Sequence, residues 1–212
     1  MKEDFIYIHR YEPGTGAEGA TTLLLLHGTG GDESSLRDLG HMILPGAAQL
    51  RPRGNVLEND MPRYFRRFAE GILDVDDLKR RTGDLVGFIQ HASERYDFDA
   101  HQVIAAGFSN GANIAASMLF LSPQTLHAAI LLHPMLPFEP EQLPDLRGKP
   151  VFIGAGRADP LVPSVQTEQL AELLKRAGAE VSIFWHNGGH TVSGEEVKAI
   201  KSWLTNLHQP GS

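Results

Sequence analysis

The pentapeptide from Gly107 to Gly111 carries the residue best placed to do chemistry, a serine between two glycines. It reads Gly-Phe-Ser-Asn-Gly and matches the G-x-S-x-G pattern. An apolar run at 103–108 precedes it, and an apolar, helix-compatible run follows it. A serine on a sharp turn between a buried strand and a helix is a nucleophile elbow, where flanking glycines avoid side-chain clashes. A glycine-rich turn with an incidental serine would give the same sequence pattern. The assignment of Ser109 as a nucleophile therefore depends on catalytic partners elsewhere in the chain.

A serine hydroxyl is a weak nucleophile and needs a base within hydrogen-bond reach, a role that histidine suits. Four of the ten histidines follow predicted strands at the edge where Ser109 is expected: His27, His133, His186 and His190. His27 and His133 end their strands, where a structural histidine is the commoner case, and His186 abuts its strand directly. His190 follows a glycine pair that can turn the chain over the sheet edge. We therefore predict His190 as the base.

The orienting acid is predicted to be Asp159. It follows the predicted strand at 151–155, whereas Asp145 precedes that strand and so belongs to the opposite edge of the sheet. An ordinary Asp-Pro turn is the alternative interpretation. The order Ser109, Asp159, His190 along the chain is that of the α/β-hydrolase fold.

An oxyanion formed by serine attack needs backbone N–H donors in fixed positions. One is expected from Asn110, directly after the serine, and the other from Thr29, in the glycine-rich loop after an early strand. Thr29 would act through its backbone, so its side chain is expected to be replaceable.

Buried apolar strands alternate with helical patterns along the chain, which predicts a single α/β domain over 1–212, with a mainly parallel sheet and helices on both faces. Two runs, 5–9 and 21–26, are predicted to form an antiparallel hairpin at the N-terminal edge. The glycines at 14, 16 and 19 between them match G-x-G-x-x-G. A strand rather than a helix follows these glycines, so a dinucleotide site is excluded.

The segment 55–73 is the least regular part of the sequence. It holds four large apolar side chains, namely Met61, Tyr64, Phe65 and Phe68. These could line a substrate pocket or pin the segment onto the body of the protein, and we predict pocket lining. No stretch after the serine is long enough for a large lid, so an open cleft walled by 55–73 and 134–140 is expected.

Composition narrows the possible functions further. The net charge of −7 argues against nucleic-acid binding, and the absence of cysteine excludes disulfides and cysteine-ligated metals. A metal held by His186 and His190 is not expected, because the glycines between them break the helix that this spacing would need. The N-terminus carries early acids without an apolar stretch, and the apolar runs are too short to span a membrane. A cytoplasmic protein without membrane contact is the expectation.

Four motifs in order give the chain a recognisable likeness. They are Leu26-His27-Gly28-Thr29-Gly30-Gly31-Asp32-Glu33, Gly107-Phe108-Ser109-Asn110-Gly111-Ala112-Asn113, Gly156-Arg157-Ala158-Asp159-Pro160-Leu161-Val162-Pro163 and Gly189-His190. With these motifs the chain resembles the small carboxylesterases of the phospholipase/carboxylesterase group in the α/β-hydrolase superfamily. The resemblance covers nearly the whole chain.

The resemblance implies a serine hydrolase of small carboxylic esters, with no metal or organic cofactor. Acyl-protein thioesterases and dienelactone hydrolases are close in architecture. The latter generally use a cysteine nucleophile, which this chain lacks. Thioester hydrolysis and a non-catalytic ligand-binding role are the alternatives. The sequence leaves the oligomeric state open, with a homodimer as one outcome.

Overall fold

The computed structural model describes residues 5–15 and 20–207. The acidic start of the chain and the glycines at 16 and 19 lie outside the described residues. The strands are β1 (His9–Glu12), β2 (Thr22–Leu26), β3 (Ala48–Pro52), β4 (Val56–Glu58), β5 (Met61–Arg63), β6 (Arg67–Ala69), β7 (Ile72–Leu73), β8 (Val103–Phe108), β9 (Ala128–Leu132), β10 (Pro150–Gly156) and β11 (Glu180–His186). The helices are α1 (Arg37–Ile43), α2 (Val75–Tyr96), α3 (Asn110–Leu121), α4 (Ser164–Arg176) and α5 (Gly194–Leu207).

The main sheet has seven strands in the order β1-β3-β2-β8-β9-β10-β11. Only the β1–β3 pair is antiparallel, and the other neighbours run parallel. Every residue of β2 and β9 is buried, as expected for strands covered on both faces by helices. The predicted fold, a mainly parallel sheet with an antiparallel N-terminal edge, is confirmed.

The pairing at that edge differs from the predicted hairpin. The first strand begins at His9 rather than Phe5, and it pairs with β3 through His9 opposite Pro52. β2 lies further in, between β3 and β8. The physical reason is burial: the wholly buried β2 needs a neighbour on both sides, whereas the half-buried β1 suits an edge.

The two faces of the sheet carry separate apolar clusters. β8 shows the alternation, because Val103 and Ala105 join one cluster while Ile104 and Ala106 join the other. The first cluster is covered by α2, α3 and α4, and the second by α1 and α5. Ser109 follows directly from β8 and therefore emerges near the centre of the sheet edge.

The segment 55–73 folds into two small hairpins, β4–β5 and β6–β7. Asn59 and Asp60 both have positive φ, at 50° and 63°, and form the two-residue turn between β4 and β5. Such a turn matches the twist of the paired strands, and asparagine and aspartate tolerate it better than most residues.

Within 5–15 and 20–207, no helix combines the length and the apolarity needed to cross a bilayer.

Candidate active site

Ser109 occupies a strained turn between β8 and α3. Its φ of 53° and ψ of −113° lie in a region that residues with side chains rarely adopt. The turn is held by hydrogen bonds from the Ser109 N–H to the Leu132 carbonyl, at 2.9 Å, and from the Asn113 N–H to the Ser109 carbonyl, at 2.9 Å. The glycines of the motif are required by space: a Cβ at Gly107 would lie 2.4 Å from the backbone of Gly111.

The three predicted catalytic side chains form a continuous hydrogen-bonded chain. His190 Nε2 lies 2.9 Å from Ser109 Oγ, and His190 Nδ1 lies 2.7 Å from Asp159 Oδ2. Asp159 follows β10 and His190 follows β11, so two neighbouring parallel strands deliver them to the same edge as the serine. With its Nδ1–H donated to the carboxylate, neutral His190 presents the Nε2 lone pair to the hydroxyl.

Asp159 is fixed by more than one partner. Its Oδ1 accepts from the backbone N–H groups of Leu161 and Val162, at 2.8 and 3.0 Å, and its Oδ2 accepts from His133 as well as His190. Burial raises the pKa of Asp159, but these hydrogen bonds outweigh burial and hold the pKa below its ordinary value. The carboxylate is therefore charged at neutral pH.

The two residues predicted to supply oxyanion N–H groups both line the cleft beside Ser109. Asn110 is the first residue of α3, where the geometry of a helix leaves the N–H without an intrahelical acceptor. The loop that contains Thr29 is held by the Gly30 N–H, which donates to the Pro62 carbonyl at 2.9 Å.

The Thr29 side chain has a contact that the sequence did not suggest. Its Oγ1 accepts a hydrogen bond from Nη1 of Arg63 at 2.5 Å, and the Arg63 side chain is only 3% exposed. Burial lowers the pKa of Arg63, although the nearby Glu58 carboxylate opposes this effect. The hydroxyl satisfies a buried guanidinium, which is a reason to expect a cost when the Thr29 side chain is replaced.

The cleft at Ser109 has a volume of about 260 Å³. Its walls come from the segment 55–73 and from the loop after β9, as predicted. The lining residues are Thr29, Arg63, Arg67, Glu70, Gly71, Leu73, Phe108, Ser109, Asn110, Asn113, Met135, Leu161, Val162 and His190.

None of the four predicted pocket residues is in that lining. Tyr64 and Phe65 are wholly buried in the core, whereas Met61 and Phe68 are 39% and 75% exposed. Tyr64 and Phe65 lie in the connection between the two hairpins and turn inward, whereas Arg63 and Arg67, on either side of this connection, line the cleft. Tyr64 fastens the segment: its hydroxyl donates to the Pro52 carbonyl at 2.8 Å and accepts from the His27 N–H at 3.2 Å.

The arginines of the cleft are neutralised by neighbouring acids. Arg67 Nε lies 3.0 Å from Glu58, and its Nη1 lies 2.7 Å from Glu70. Arg63 Nε lies 3.1 Å from Glu58. The wall is thus polar without a large net charge.

The remaining candidate histidines have distinct environments. His27 is structural, since Nδ1 donates to the Gly28 carbonyl at 2.6 Å and Nε2 accepts from the Gly54 N–H at 2.9 Å. His133 instead contacts Asp159, through Nδ1 at 2.9 Å from Oδ2. The sequence signal for this contact was weak, because a histidine that ends a buried strand is usually structural.

Comparison with known proteins identifies a family whose sequence pattern this chain matches. The family model described as the Dienelactone hydrolase family matches residues 54–198. The provisionally named hydrolase MhqD of Bacillus subtilis (strain 168) is 49% identical over 195 residues, covering 92% of this chain and 96% of that protein.

A solved structure and a more distant relative extend the comparison. The crystal structure of the Bacillus cereus carboxylesterase is 46% identical and superposes with a TM-score of 0.92, over 95% of this chain and 94% of that one. Acyl-protein thioesterase 1 of Debaryomyces hansenii is 28% identical over 158 residues, covering 69% of this chain and 68% of that protein. These relatives are thus named a hydrolase, a carboxylesterase and an acyl-protein thioesterase.

Proposed function

Since the chain belongs to the dienelactone hydrolase family, we propose that it hydrolyses small carboxylic esters through an acyl-enzyme on Ser109. The observation that carries this proposal is the pair of hydrogen bonds that connects Ser109 Oγ through His190 to Asp159, at 2.9 and 2.7 Å. The cysteine expected as nucleophile in many dienelactone hydrolases is absent, and a serine stands in the elbow.

In the first half-reaction, Ser109 Oγ bonds to the ester carbonyl carbon while His190 Nε2 accepts the hydroxyl proton. The carbonyl oxygen becomes an oxyanion, which the N–H groups of Thr29 and Asn110 would bind. Asp159 stabilises the imidazolium that forms on His190. When the tetrahedral intermediate collapses, the carbon–oxygen bond to the alcohol breaks and His190 returns the proton to the alcohol.

In the second half-reaction, water takes the place of the alcohol. His190 accepts a proton from water as its oxygen bonds to the acyl carbon, and then returns a proton to Ser109 as the acid leaves. Both halves use the same oxyanion donors and the same base, so one arrangement of side chains serves both.

The size and lining of the cleft favour small substrates. A volume of about 260 Å³ lies just below the usual range for small-molecule sites, which begins at about 300 Å³. Leu73, Met135 and Leu161 supply its apolar surface, which suits a short or aromatic acyl or alcohol group.

Thioester hydrolysis is a second candidate, favoured by the relatives named acyl-protein thioesterase 1. The same acyl-enzyme would form, with a thiol as the leaving group. Matched oxygen esters and thioesters with one acyl group separate the two: we expect the higher kcat/KM for the oxygen ester, and a large preference for the thioester would favour the second candidate.

The Ser109→Ala variant tests the proposal directly. We expect kcat for a short-chain aryl ester to fall by a factor on the order of 10⁶, because the three residues act as a unit. The exposed Ser202 provides the matched control, and Ser202→Ala should keep wild-type activity. A fluorophosphonate probe should label Ser109 in the wild type. A Ser109→Ala protein that keeps most of its activity, or labelling of another residue, would refute the assignment.

A further inference from the structure

The glycine-rich loop after β2 forms a tight turn around Thr29. The Gly31 N–H donates to the Gly28 carbonyl at 3.1 Å and closes the turn, and Gly30 has a φ of 81°. A positive φ at the third residue is characteristic of a type II turn. The closing hydrogen bond makes no use of the Thr29 N–H, so the turn leaves this donor available to an acceptor outside the loop.

On one side, the turn lies against the residue before the nucleophile. A Cβ at Gly28 would lie 2.8 Å from the ring of Phe108. Thr29 and Ser109 line the same cleft. Close packing at Gly28 therefore limits how far the turn can move toward the elbow.

On the other side, two neighbouring residues at the end of β5 hold the turn. The Gly30 N–H donates to the Pro62 carbonyl at 2.9 Å, and Arg63 Nη1 donates to Thr29 Oγ1 at 2.5 Å. The first contact holds the backbone just after Thr29, and the second holds the Thr29 side chain. Both the backbone and the side chain at this position are therefore tied to β5.

The guanidinium of Arg63 is itself fixed by several contacts. Its Nε–H is shared between the Phe65 carbonyl at 3.2 Å and Glu58 Oε2 at 3.1 Å, and the side chain is only 3% exposed. Its Cζ lies 5.7 Å from the centre of the Phe65 ring. Because a guanidinium is planar and rigid, these contacts also determine where Nη1 points.

The charge of Arg63 strengthens its contact with Thr29. An arginine guanidinium stays protonated in proteins, and a hydrogen bond from a charged donor is about twice as strong as one between neutral groups. Glu58 contacts the same guanidinium and balances its charge. Arg63 therefore supplies a strong hydrogen bond to Thr29 without an excess of positive charge that would attract anions into the cleft.

We propose that Arg63 is the positioning residue of the oxyanion loop, because it holds Thr29 through Oγ1 with the Thr29 N–H directed at the oxyanion. This role rests on the ester hydrolase function proposed above and extends it to a residue that acts through Thr29. The oxyanion forms only after Ser109 attacks the ester. Loss of the Arg63 contact should therefore lower kcat rather than raise KM.

The Arg63→Met variant tests this role, because methionine is a long, unbranched side chain without a donor. We expect kcat for a short-chain aryl ester to fall about 10²-fold, as for small misplacements of catalytic groups, with KM close to the wild-type value. Arg10→Met is the matched control, since Arg10 is exposed on the edge strand β1. An unchanged kcat, with or without a higher KM, would overturn the proposal.

An inhibitor that forms an oxyanion separates this role from a general loss of structure. When a small alkyl trifluoromethyl ketone binds, Ser109 Oγ bonds to its carbonyl carbon, the hydroxyl proton passes to His190 and the ketone oxygen becomes an oxyanion. We expect its inhibition constant to rise in Arg63→Met by the same factor as kcat/KM falls. A smaller fraction of folded protein would lower kcat without changing this constant, and an unchanged constant would overturn the proposal.

The Thr29→Val variant tests the same contact from the other partner, and it covers the case in which Arg63→Met does not fold. If Arg63 acts through the Thr29 hydroxyl, the double variant should lose no more of kcat than the more affected single variant. Fold-changes that multiply in the double variant would show two independent effects and would overturn the proposal. In Thr29→Val alone, the inhibition constant of the ketone should rise, and an unchanged constant would again overturn it.

Amide hydrogen exchange measures the hold on the loop independently of activity. In Arg63→Met and in Thr29→Val, a peptide covering 27–33 should exchange faster than in the wild type, whereas a peptide covering α4 should not change. Unchanged exchange in 27–33 would overturn the proposal even in an active esterase. Faster exchange in a chain without esterase activity would support the hold of Arg63 on the loop and refute only the proposed function.

Discussion

The backbone N–H of Tyr64 donates a hydrogen bond to Oδ1 of Asn110 at 2.8 Å. Tyr64 belongs to the segment 55–73, and Asn110 is the residue after the nucleophile, so this bond connects the cleft wall to the elbow. Both residues are buried, and the bond is therefore shielded from water. The wall of the cleft and the first turn of α3 are fastened to each other rather than merely adjacent.

The Asn110→Ala variant should lose both stability and rate. It leaves the Tyr64 N–H buried without its acceptor, which costs about 1–3 kcal/mol in the free energy of unfolding. The first turn of α3 would shift, and we expect kcat to fall about 10²-fold, as for small misplacements of catalytic groups. Urea unfolding and ester kinetics measure the two effects. Asn206→Ala, on the exposed face of α5, should change neither.

Two substitutions at Thr29 separate its hydroxyl from its backbone. Thr29→Val has a similar shape but removes the acceptor of the buried Arg63 Nη1, so we expect a loss of about 1–3 kcal/mol in unfolding free energy and a lower kcat. Thr29→Ser keeps the acceptor and should stay close to the wild type in both measurements. Equal behaviour of the two variants would show that the Arg63 contact has no role.

Substitutions at two glycines, one in a crowded position and one in open space, test how closely the protein is packed around Gly154. Gly154→Ala would force Glu196 Oε1 away from a Cβ 1.7 Å distant, and we expect a loss of about 1–3 kcal/mol in the free energy of unfolding, as for overpacking in a close-packed core. Gly83, in α2, has open space around its would-be Cβ. Gly83→Ala should therefore stabilise the protein by about 1 kcal/mol through helix propensity. Thermal unfolding of both variants checks the opposite signs.

The lowered pKa of Asp159 predicts a pH dependence of stability. A carboxyl whose folded-state pKa is depressed stabilises the fold above its ordinary value of 3.8, and this contribution is lost as pH falls through the lower, folded-state pKa. We therefore expect Asp159→Asn to have a lower free energy of unfolding than the wild type at neutral pH, and the difference should become smaller below pH 3.8. Urea unfolding between pH 3 and 7 measures this difference, and a difference that does not change with pH would contradict the prediction.

Asp159→Asn should also reduce activity by about 10⁴-fold at neutral pH, because an amide donor at Nδ1 favours the wrong tautomer of His190. Asp145→Asn is the matched control, since Asp145 is exposed and pairs with Arg147 in its own loop. A small loss in Asp159→Asn would show that His133 or the backbone contacts keep His190 oriented without the carboxylate.

The sequence was sufficient to predict the alternating strands and helices and the three residues that the structure joins by hydrogen bonds. Ser109, Asp159 and His190 each follow a strand of one parallel sheet, and such strands all present their carboxyl ends at the same edge. Residue patterns within short segments therefore predicted contacts between residues that are far apart in the sequence. The start of α5 also depends on residues close in sequence, because Ser193 and Glu196 form two reciprocal hydrogen bonds of 3.0 and 3.2 Å.

The features that the sequence did not predict depend on contacts between distant segments. The partner of β1 is β3, a choice made by the burial of β2 rather than by chain proximity. Tyr64 and Phe65 are buried in the connection between β5 and β6, where Tyr64 is held by hydrogen bonds to the distant Asn110 and Pro52. The approach of Glu196 to His133 needs the missing side chain of Gly154, a relationship between three separate elements.

The Glu196 carboxylate, in the first turn of α5, makes two kinds of contact. Glu196 accepts the Ser193 N–H that begins the helix, and the same oxygen faces His133 behind the active site. A substitution at Glu196 made to optimise the start of the helix would therefore also remove a carboxylate from beside His133 and His186, at the back of the site.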